Sequence, residues 1–261
     1  MMRDSFASPT EDLALGRRLA ELAARMSLDH QRRGFAVEKK PDGSFVTDAD
    51  RDVERALREV LVTERPGDAV LGEELGASGS SNRRWIFDPI DGTSNFIAGS
   101  PEWGNHIALE QDGRIVLGLI TRPLVGRVWW AIRGGGAHRS ELWSTADPVR
   151  VRVSVRSELS EARVSLWAPE GDARVGRLKQ RATWAKPTLD AVIRIAEGEL
   201  EAVIDPTAKA WDHAPGVVIV EEAGGRYSDG FGGNRIDIGE GRFSNGHVHE
   251  ELASVLDDRA L

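Results

Sequence analysis

Hydrophobic residues at the start of the chain recur at helical spacing. Within residues 9–28 the apolar side chains return every third or fourth position, which is typical of an amphipathic helix packed on a core. A second helix is predicted after the next turn, with Thr47 or Asp48 as its cap and Pro66-Gly67 as its end. The chain is therefore expected to begin with two helices.

Short apolar runs separated by turns follow these helices. A buried strand is predicted at the start of 69–76, and another in WIFDPIDG at 85–92. Residues 106–123 are typical of a hairpin whose turn is the sequence QDG, and a further strand is predicted in 127–138 before a glycine turn. We expect this half to combine the two helices with a largely antiparallel sheet.

Strands and helices alternate in the second half. The pattern predicts a strand in 162–169, a helix followed by a strand in 188–205, a helix that starts near Pro215, and a terminal helix in 249–258. Such alternation favours an α/β layer. We therefore expect an N-terminal α+β half, residues 1–145, and a C-terminal α/β half, residues 146–261.

The composition narrows the classes of function. The 261 residues carry a net charge of −8 with both signs interspersed, which disfavours nucleic acid as a partner because phosphate neutralisation needs a basic face. The chain has no cysteine, so disulfides and thiolate metal sites are excluded. The N-terminal segment lacks the apolar core of a signal peptide, and no stretch reaches about eighteen apolar residues. We expect a soluble cytoplasmic protein without a membrane partner.

Acidic residues stand where apolar segments end. In WIFDPIDGTSN, Asp88 and Asp91 follow a predicted strand, and two like charges so close repel each other. Taken alone, this stretch is also compatible with a tight turn that carries solvated acids. However, Glu73, Asp50 and Asp212 also lie at the ends of predicted elements beside apolar sequence. The fold is therefore expected to bring distant carboxylates together.

A hard divalent cation would offset this repulsion. Mg²⁺ binds carboxylates, waters and phosphate oxygens, and two such ions about 3.5–4 Å apart can clamp a phosphoryl displacement. The bend between Asp88 and Asp91 leaves the Ile90 carbonyl as a further ligand. The N–H groups of Gly92 and Thr93 would receive phosphate oxygens, and the Thr93 hydroxyl would hold a water molecule.

Three motifs in this order resemble the inositol monophosphatase superfamily: GEE at 72–74, DPIDGTSNF at 88–96 and WDHAPGVVIVEEAGG at 211–225. VTDAD at 46–50 resembles a looser fourth element. Within that superfamily, the motifs most resemble the histidinol-phosphate phosphatase branch. The resemblance implies a five-layered αβαβα sandwich, a Mg²⁺-dependent phosphomonoesterase, a small phosphorylated metabolite as partner, and a homodimer.

The resemblance also implies the ligands of two Mg²⁺ ions: Glu73, Asp88 and the Ile90 carbonyl for the first, and Asp88, Asp91 and Asp212 for the second. A third, weaker ion would use Glu73 and waters. Asp50 and Thr93 would orient and deprotonate the metal-bound water that attacks phosphorus in line, without a phospho-enzyme. Glu73 is thus both a metal ligand and a catalytic residue.

Asp205 is implied to contact the leaving group of the substrate. Its pairing with Pro206 resembles the histidinol-phosphate branch, where an acid at this position meets a substrate ammonium, so histidinol phosphate is the expected substrate. One stretch departs from the family pattern, because Trp184, Pro187 and Thr188 stand where the family has Arg, Gly and Ser or Asp. Inositol 1-phosphate, or another cyclitol, sugar or specialised-metabolite phosphate, therefore stays an alternative.

A second class of function is a non-catalytic protein that binds metal and a phosphorylated ligand as a regulator. Against it, the carboxylates needed for turnover and Thr93 are all present, whereas an inactive descendant is expected to have lost one. Among enzymes, a 3′-nucleotidase would need a larger pocket with base-stacking residues. A fructose bisphosphatase would need a second phosphate site of Arg and Lys, which the sequence does not indicate.

Overall fold

The computed structural model describes residues 8–169 and 171–257. The helices are α1 (Pro9–Arg33), α2 (Asp48–Glu64), α3 (Thr93–Ile97), α4 (Ala173–Arg181), α5 (Ala191–Ala196), α6 (Ala210–Glu222) and α7 (His249–Leu256). The strands of the first half are β1 (Val37–Lys39), β2 (Phe45–Thr47), β3 (Ala69–Gly72), β4 (Gly76–Ser78), β5 (Arg83–Asp91), β6 (Gly104–Gln111), β7 (Arg114–Arg122), β8 (Arg127–Ile132), β9 (Gly136–Glu141) and β10 (Val149–Arg150). Those of the second half are β11 (Arg163–Leu166), β12 (Thr183–Trp184), β13 (Ala202–Asp205), β14 (Arg226–Asp229) and β15 (Gly241–Ser244).

Two large sheets carry the fold. The first has the order β10-β9-β8-β7-β6-β5-β3-β4, and its pairs are antiparallel except for the parallel pair β3 and β5. The second has the order β12-β11-β13-β15-β14, with a parallel and an antiparallel part. A separate two-stranded ribbon, β1-β2, precedes α2.

Three apolar clusters hold these sheets in layers. Leu15 and Leu19 of α1 and Leu57 of α2 pack on one face of the eight-stranded sheet. Helices α5 and α6 fill the space between its other face and the five-stranded sheet. Helices α4 and α7 cover the outer face of the five-stranded sheet. The order helix, sheet, helix, sheet, helix confirms the expected αβαβα sandwich.

Most sequence-based elements are found, including the hairpin of β6 and β7 with its QDG turn and the cap of α2 at Thr47. The prediction that a helix starts near Pro215 is wrong, because α6 already begins at Ala210 and contains Pro215. The helix predicted in 188–205 is shorter than expected and spans only α5. A proline within a helix removes one hydrogen bond, but the packing of α6 between two sheets outweighs this loss.

The boundary between residues 145 and 146 stays a prediction. Among residues 8–169 and 171–257, no helix combines the length and the apolar character needed to span a bilayer.

Candidate active site

A β-bulge in β5 turns two carboxylates toward the same side of the sheet. Asp88 pairs with His106 of β6, and Asp91 pairs with Gly104, so β5 contains one residue more than β6 between these pairs. In a regular strand, residues an odd number of positions apart point to opposite faces, and an extra residue reverses one of them. The bulge therefore explains how Asp88 and Asp91 approach each other.

The turn between β3 and β4 presents Glu73. Lys40 Nζ donates hydrogen bonds to Glu73 Oε1 at 2.9 Å and to Glu74 Oε1 at 2.7 Å. Glu54 of α2 is fully buried and accepts a hydrogen bond from the N–H of Glu74 at 2.8 Å. Gly72 is required here, since a Cβ at this position would lie 2.0 Å from Glu54 Oε1. Helix α2 thus holds the turn that carries Glu73.

Asp50 and Thr93 form a hydrogen-bonded pair beside the bulge. Asp50 Oδ2 accepts hydrogen bonds from Thr47 N at 2.8 Å and Thr47 Oγ1 at 2.6 Å, which fixes its carboxylate at the start of α2. Asp50 Oδ1 faces Thr93 Oγ1 at 3.3 Å, and the same hydroxyl lies 3.1 Å from the Ile90 carbonyl. Gly92, which precedes α3, has a φ of +81°, a value that favours glycine.

Asp212 and Asp205 reach the site from the C-terminal half. Asp212 lies in the first turn of α6, where its Oδ2 accepts a hydrogen bond from Lys209 N at 2.6 Å. Asp205 ends β13, and its Oδ1 accepts from the N–H groups of Thr207 at 3.1 Å and Ala208 at 3.2 Å. These backbone hydrogen bonds use one oxygen of each carboxylate, so the other oxygen is available to a ligand.

A cavity of about 240 Å³ lies between the two sheets, and Asp91, Asp205 and Asp212 line it. Its apolar wall consists of Ile120, Trp167, Leu189, Ala191, Val192, Val203 and Phe243. Of the residues that depart from the family pattern, Thr188 lines the cavity, whereas Trp184 packs against the outer cluster around α4 and α7. The departure thus changes the cavity wall at Thr188.

Burial dominates the electrostatics of the acidic cluster. Burial raises the pKa of Asp88 well above its usual value, and the nearby charges of Glu73, Asp91 and Asp212 raise it further. Burial also raises the pKa of Asp212 to about 7, again with help from Asp91 and Glu73. The pKa of Asp50 is raised mainly by burial as well. The carboxylates are therefore close enough to oppose one another's ionisation.

Asp91 behaves differently because His106 and Arg122 flank it. His106 Nε2 lies 3.2 Å and Arg122 Nη2 3.7 Å from Asp91 Oδ2. Burial raises the pKa of Asp91, but His106 and Arg122 outweigh this effect and leave the pKa below its usual value. Asp91 is therefore held as a carboxylate.

The donor atoms of this cluster fit a divalent cation. Asp88 Oδ1 and Asp91 Oδ2 are buried and have no hydrogen-bond partner among the described residues. One ligand atom each from Asp88, Asp91 and His106 lie within 4.8 Å of one another. Buried carboxylates that repel each other need a positive charge, and Mg²⁺ prefers oxygen ligands of this kind.

The structure brings all residues proposed from the sequence into one region: Asp50, Glu73, Asp88, Ile90, Asp91, Gly92, Thr93, Asp212 and, across the cavity, Asp205. Their individual roles stay predictions.

Sequence reasoning missed several residues that support the site. Asn105 Nδ2 donates a hydrogen bond to the Pro89 carbonyl at 2.6 Å and so holds the bulge of β5. The burial of Glu54 could have been predicted, because this acidic residue lies on the apolar face of α2 beside Val53. For His106 the signal was weaker, since a histidine within a buried strand is usually part of the core.

Comparisons with known proteins agree with this geometry. The sequence profile of the inositol monophosphatase family matches residues 9–260. A protein from Streptomyces griseus named glucose-1-phosphate thymidylyltransferase is 42% identical over 95% of this chain and 96% of its own length. A histidinol-phosphatase from Mycobacterium tuberculosis is 38% identical over 94% of this chain and 98% of its own. The crystal structure of the extragenic suppressor protein suhB from Bartonella henselae superimposes with a TM-score of 0.83, at 28% identity and with 94% and 98% of the two chains covered.

Proposed function

The chain belongs to the inositol monophosphatase family, and from this premise we propose that it is a Mg²⁺-dependent phosphomonoesterase for a small phosphorylated alcohol, with histidinol phosphate as the first candidate. The observation that carries the proposal is the group of buried carboxylates around Asp88, in which Asp88 Oδ1 and Asp91 Oδ2 have no hydrogen-bond partner in the described part of the chain. Such a group is unfavourable unless a cation binds it.

Glu73, Asp88, the Ile90 carbonyl, Asp91 and Asp212 would hold two Mg²⁺ ions, and a third ion would depend on Glu73. When bound, Mg²⁺ supplies positive charge that neutralises the phosphate and lowers the pKa of a water molecule. The N–H groups at Gly92 and Thr93, where α3 begins, would orient the phosphate oxygens.

Thr93 and Asp50 would transfer a proton. The Thr93 hydroxyl would accept a hydrogen bond from the attacking water and pass a proton to Asp50 Oδ1, which lies 3.3 Å from it. Burial raises the pKa of Asp50, which brings this carboxylate closer to the value that suits a general base near neutral pH.

Asp205 would recognise the substrate alcohol. It lies in the wall of the cavity beside Asp212, and one of its oxygens accepts no backbone hydrogen bond. An ammonium group would pair with this carboxylate, and the apolar wall would cover the carbon skeleton. The name of the 38% identical relative supports histidinol phosphate as the first candidate.

The test measures phosphate release with Mg²⁺ and with EDTA from histidinol phosphate, inositol 1-phosphate, several sugar phosphates and adenosine 3′,5′-bisphosphate. We expect one substrate to exceed the others by orders of magnitude, and EDTA to abolish its turnover. Asp91→Asn should be inactive, whereas the exposed Asp147→Asn should match wild type.

A parallel assay with dTTP and glucose 1-phosphate examines the activity that the name of the 42% identical relative denotes. Thymidylyl transfer without phosphate release would overturn the phosphatase proposal. Metal binding without turnover of any substrate would instead favour the non-catalytic regulator. Cytoplasmic location and a homodimer stay predictions.

A further inference from the structure

We propose that His106 is a direct nitrogen ligand at the Asp88–Asp91 cation position, and that its imidazole gives this Mg²⁺ position an added affinity for transition-metal dications that an all-oxygen position lacks. The enzyme would then pair an all-oxygen position at Glu73, Asp88 and the Ile90 carbonyl with a mixed nitrogen and oxygen position. The inference uses the site of the proposed function, but its test needs no substrate.

Strand pairing places the imidazole among the carboxylates. His106 of β6 is the direct partner of Asp88 of β5, so their side chains leave the same face of the sheet. His106 Nε2 is 3.2 Å from Asp91 Oδ2, and one ligand atom from each of the three side chains lies within 4.8 Å of the others. Neighbouring ligands of one octahedral ion are about 3 Å apart when each bond is about 2.1 Å.

The contact between His106 and Asp91 is close but poorly aligned for a hydrogen bond. Neither ring nitrogen of His106, nor Asp91 Oδ2, has a hydrogen-bond partner within the described ranges, although Nε2 and Oδ2 are close. The two atoms are therefore not aimed at each other. His106 is only 6% exposed, so water does not readily satisfy the ring. A shared cation would satisfy His106 Nε2, Asp91 Oδ2 and Asp88 Oδ1 together.

An imidazole changes the choice of metal. Mg²⁺ prefers oxygen ligands and gains little from nitrogen, whereas Mn²⁺, Co²⁺ and Zn²⁺ bind imidazole increasingly well. The site would therefore bind Co²⁺ more tightly than a site with only oxygen ligands does. A site with only carboxylate ligands would lack this added affinity for Co²⁺.

His213 provides a matched control in the same cavity. It is also buried, and its two ring nitrogens also lack hydrogen-bond partners in the described part of the chain. However, its ring packs against Tyr227 and Phe243, with centroid distances of 5.9 and 5.6 Å, and it is not part of the group that could hold an ion. Its replacement should leave Co²⁺ binding unchanged.

The experiment uses the full chain and metal alone. Titration calorimetry with Co²⁺ and Mg²⁺ compares wild type, His106→Leu and His213→Leu. We expect His106→Leu to weaken Co²⁺ binding by at least about tenfold, since even the loss of groups that only orient a ligand weakens metal binding by about 10–100-fold. Mg²⁺ binding should change much less, and His213→Leu should resemble wild type.

Electron spin-echo spectroscopy of the Mn²⁺-loaded wild type tests the proposal without any variant, so misfolding of a variant cannot affect the result. We expect modulation from a directly bound ¹⁴N nucleus. Absence of this signal, or an equal loss of Co²⁺ and Mg²⁺ affinity in His106→Leu, would overturn the proposal and leave His106 as an ion-pair partner of Asp91. A ¹⁴N signal without any phosphatase activity would keep this inference and reject the proposed function.

Discussion

Replacement of Asp212 by Asn is expected to stabilise the metal-free protein while it abolishes activity. In the folded chain the pKa of Asp212 is raised from 3.8 to about 7, first by burial and then by the charges of Asp91 and Glu73. The asparagine of the variant would still accept the hydrogen bond from Lys209 N, because its side-chain oxygen replaces Oδ2. The substitution therefore removes an unfavourable charge and keeps the cap of α6.

The sign of the pH dependence follows from this raised pKa. As pH rises from 3.8 to about 7, the unfolded chain releases a proton that the folded chain retains, so the free energy of unfolding falls. Above pH 7 the loss is complete and amounts to about 4 kcal/mol at most. An asparagine carries no such proton, so the variant escapes the loss. The advantage of the variant should grow from about 2 kcal/mol at pH 5 to about 4 kcal/mol at pH 8.

Urea denaturation in EDTA at pH 5 and pH 8 measures this difference, with Asp147→Asn as the exposed control. Added Mg²⁺ should stabilise wild type far more than Asp212→Asn, because binding to the folded state alone raises its stability. If Asp212→Asn is no more stable than wild type at pH 8, or if its advantage does not change with pH, burial and the neighbouring carboxylates do not raise the pKa of Asp212 as described.

Three further substitutions test the site. Asp91→Asn should lower kcat by far more than about tenfold while the circular dichroism spectrum is unchanged; a smaller effect would remove Asp91 from the metal site. Asp205→Asn should raise KM for histidinol phosphate much more than for a neutral polyol phosphate, and equal effects would reject its role with an ammonium. Glu54→Gln should lower the free energy of unfolding by about 2–3 kcal/mol and should also lower kcat, since its amide nitrogen replaces one of the two oxygens that accept from Arg58 and from the Glu74 N–H, and the loss of charge weakens the other bond. The exposed Glu59→Gln should change neither quantity, and a matching loss there would show that Glu54 has no special role.

The sequence by itself determined the features that depend on neighbouring residues. The cap at Thr47 and the hairpin turn QDG could be predicted because each is encoded within a few positions of the chain. The roles of the acidic residues were implied by the family motifs and stay predictions. The five-layered sandwich followed from motifs that a known family shares, rather than from hydrophobic periodicity. Periodicity misplaced the start of α6, because its packing between two sheets overrides the helix-breaking tendency of Pro215.

Only the tertiary structure decided how these residues meet. The bulge that turns Asp88 and Asp91 to one face depends on pairing with β6, and the same pairing brings His106 to them. The hydrogen bonds from Lys40 to Glu73, like the support from Glu54, join residues far apart in the chain. Such contacts depend on which surfaces the folded layers bring together, and residue spacing along the chain does not predict that arrangement.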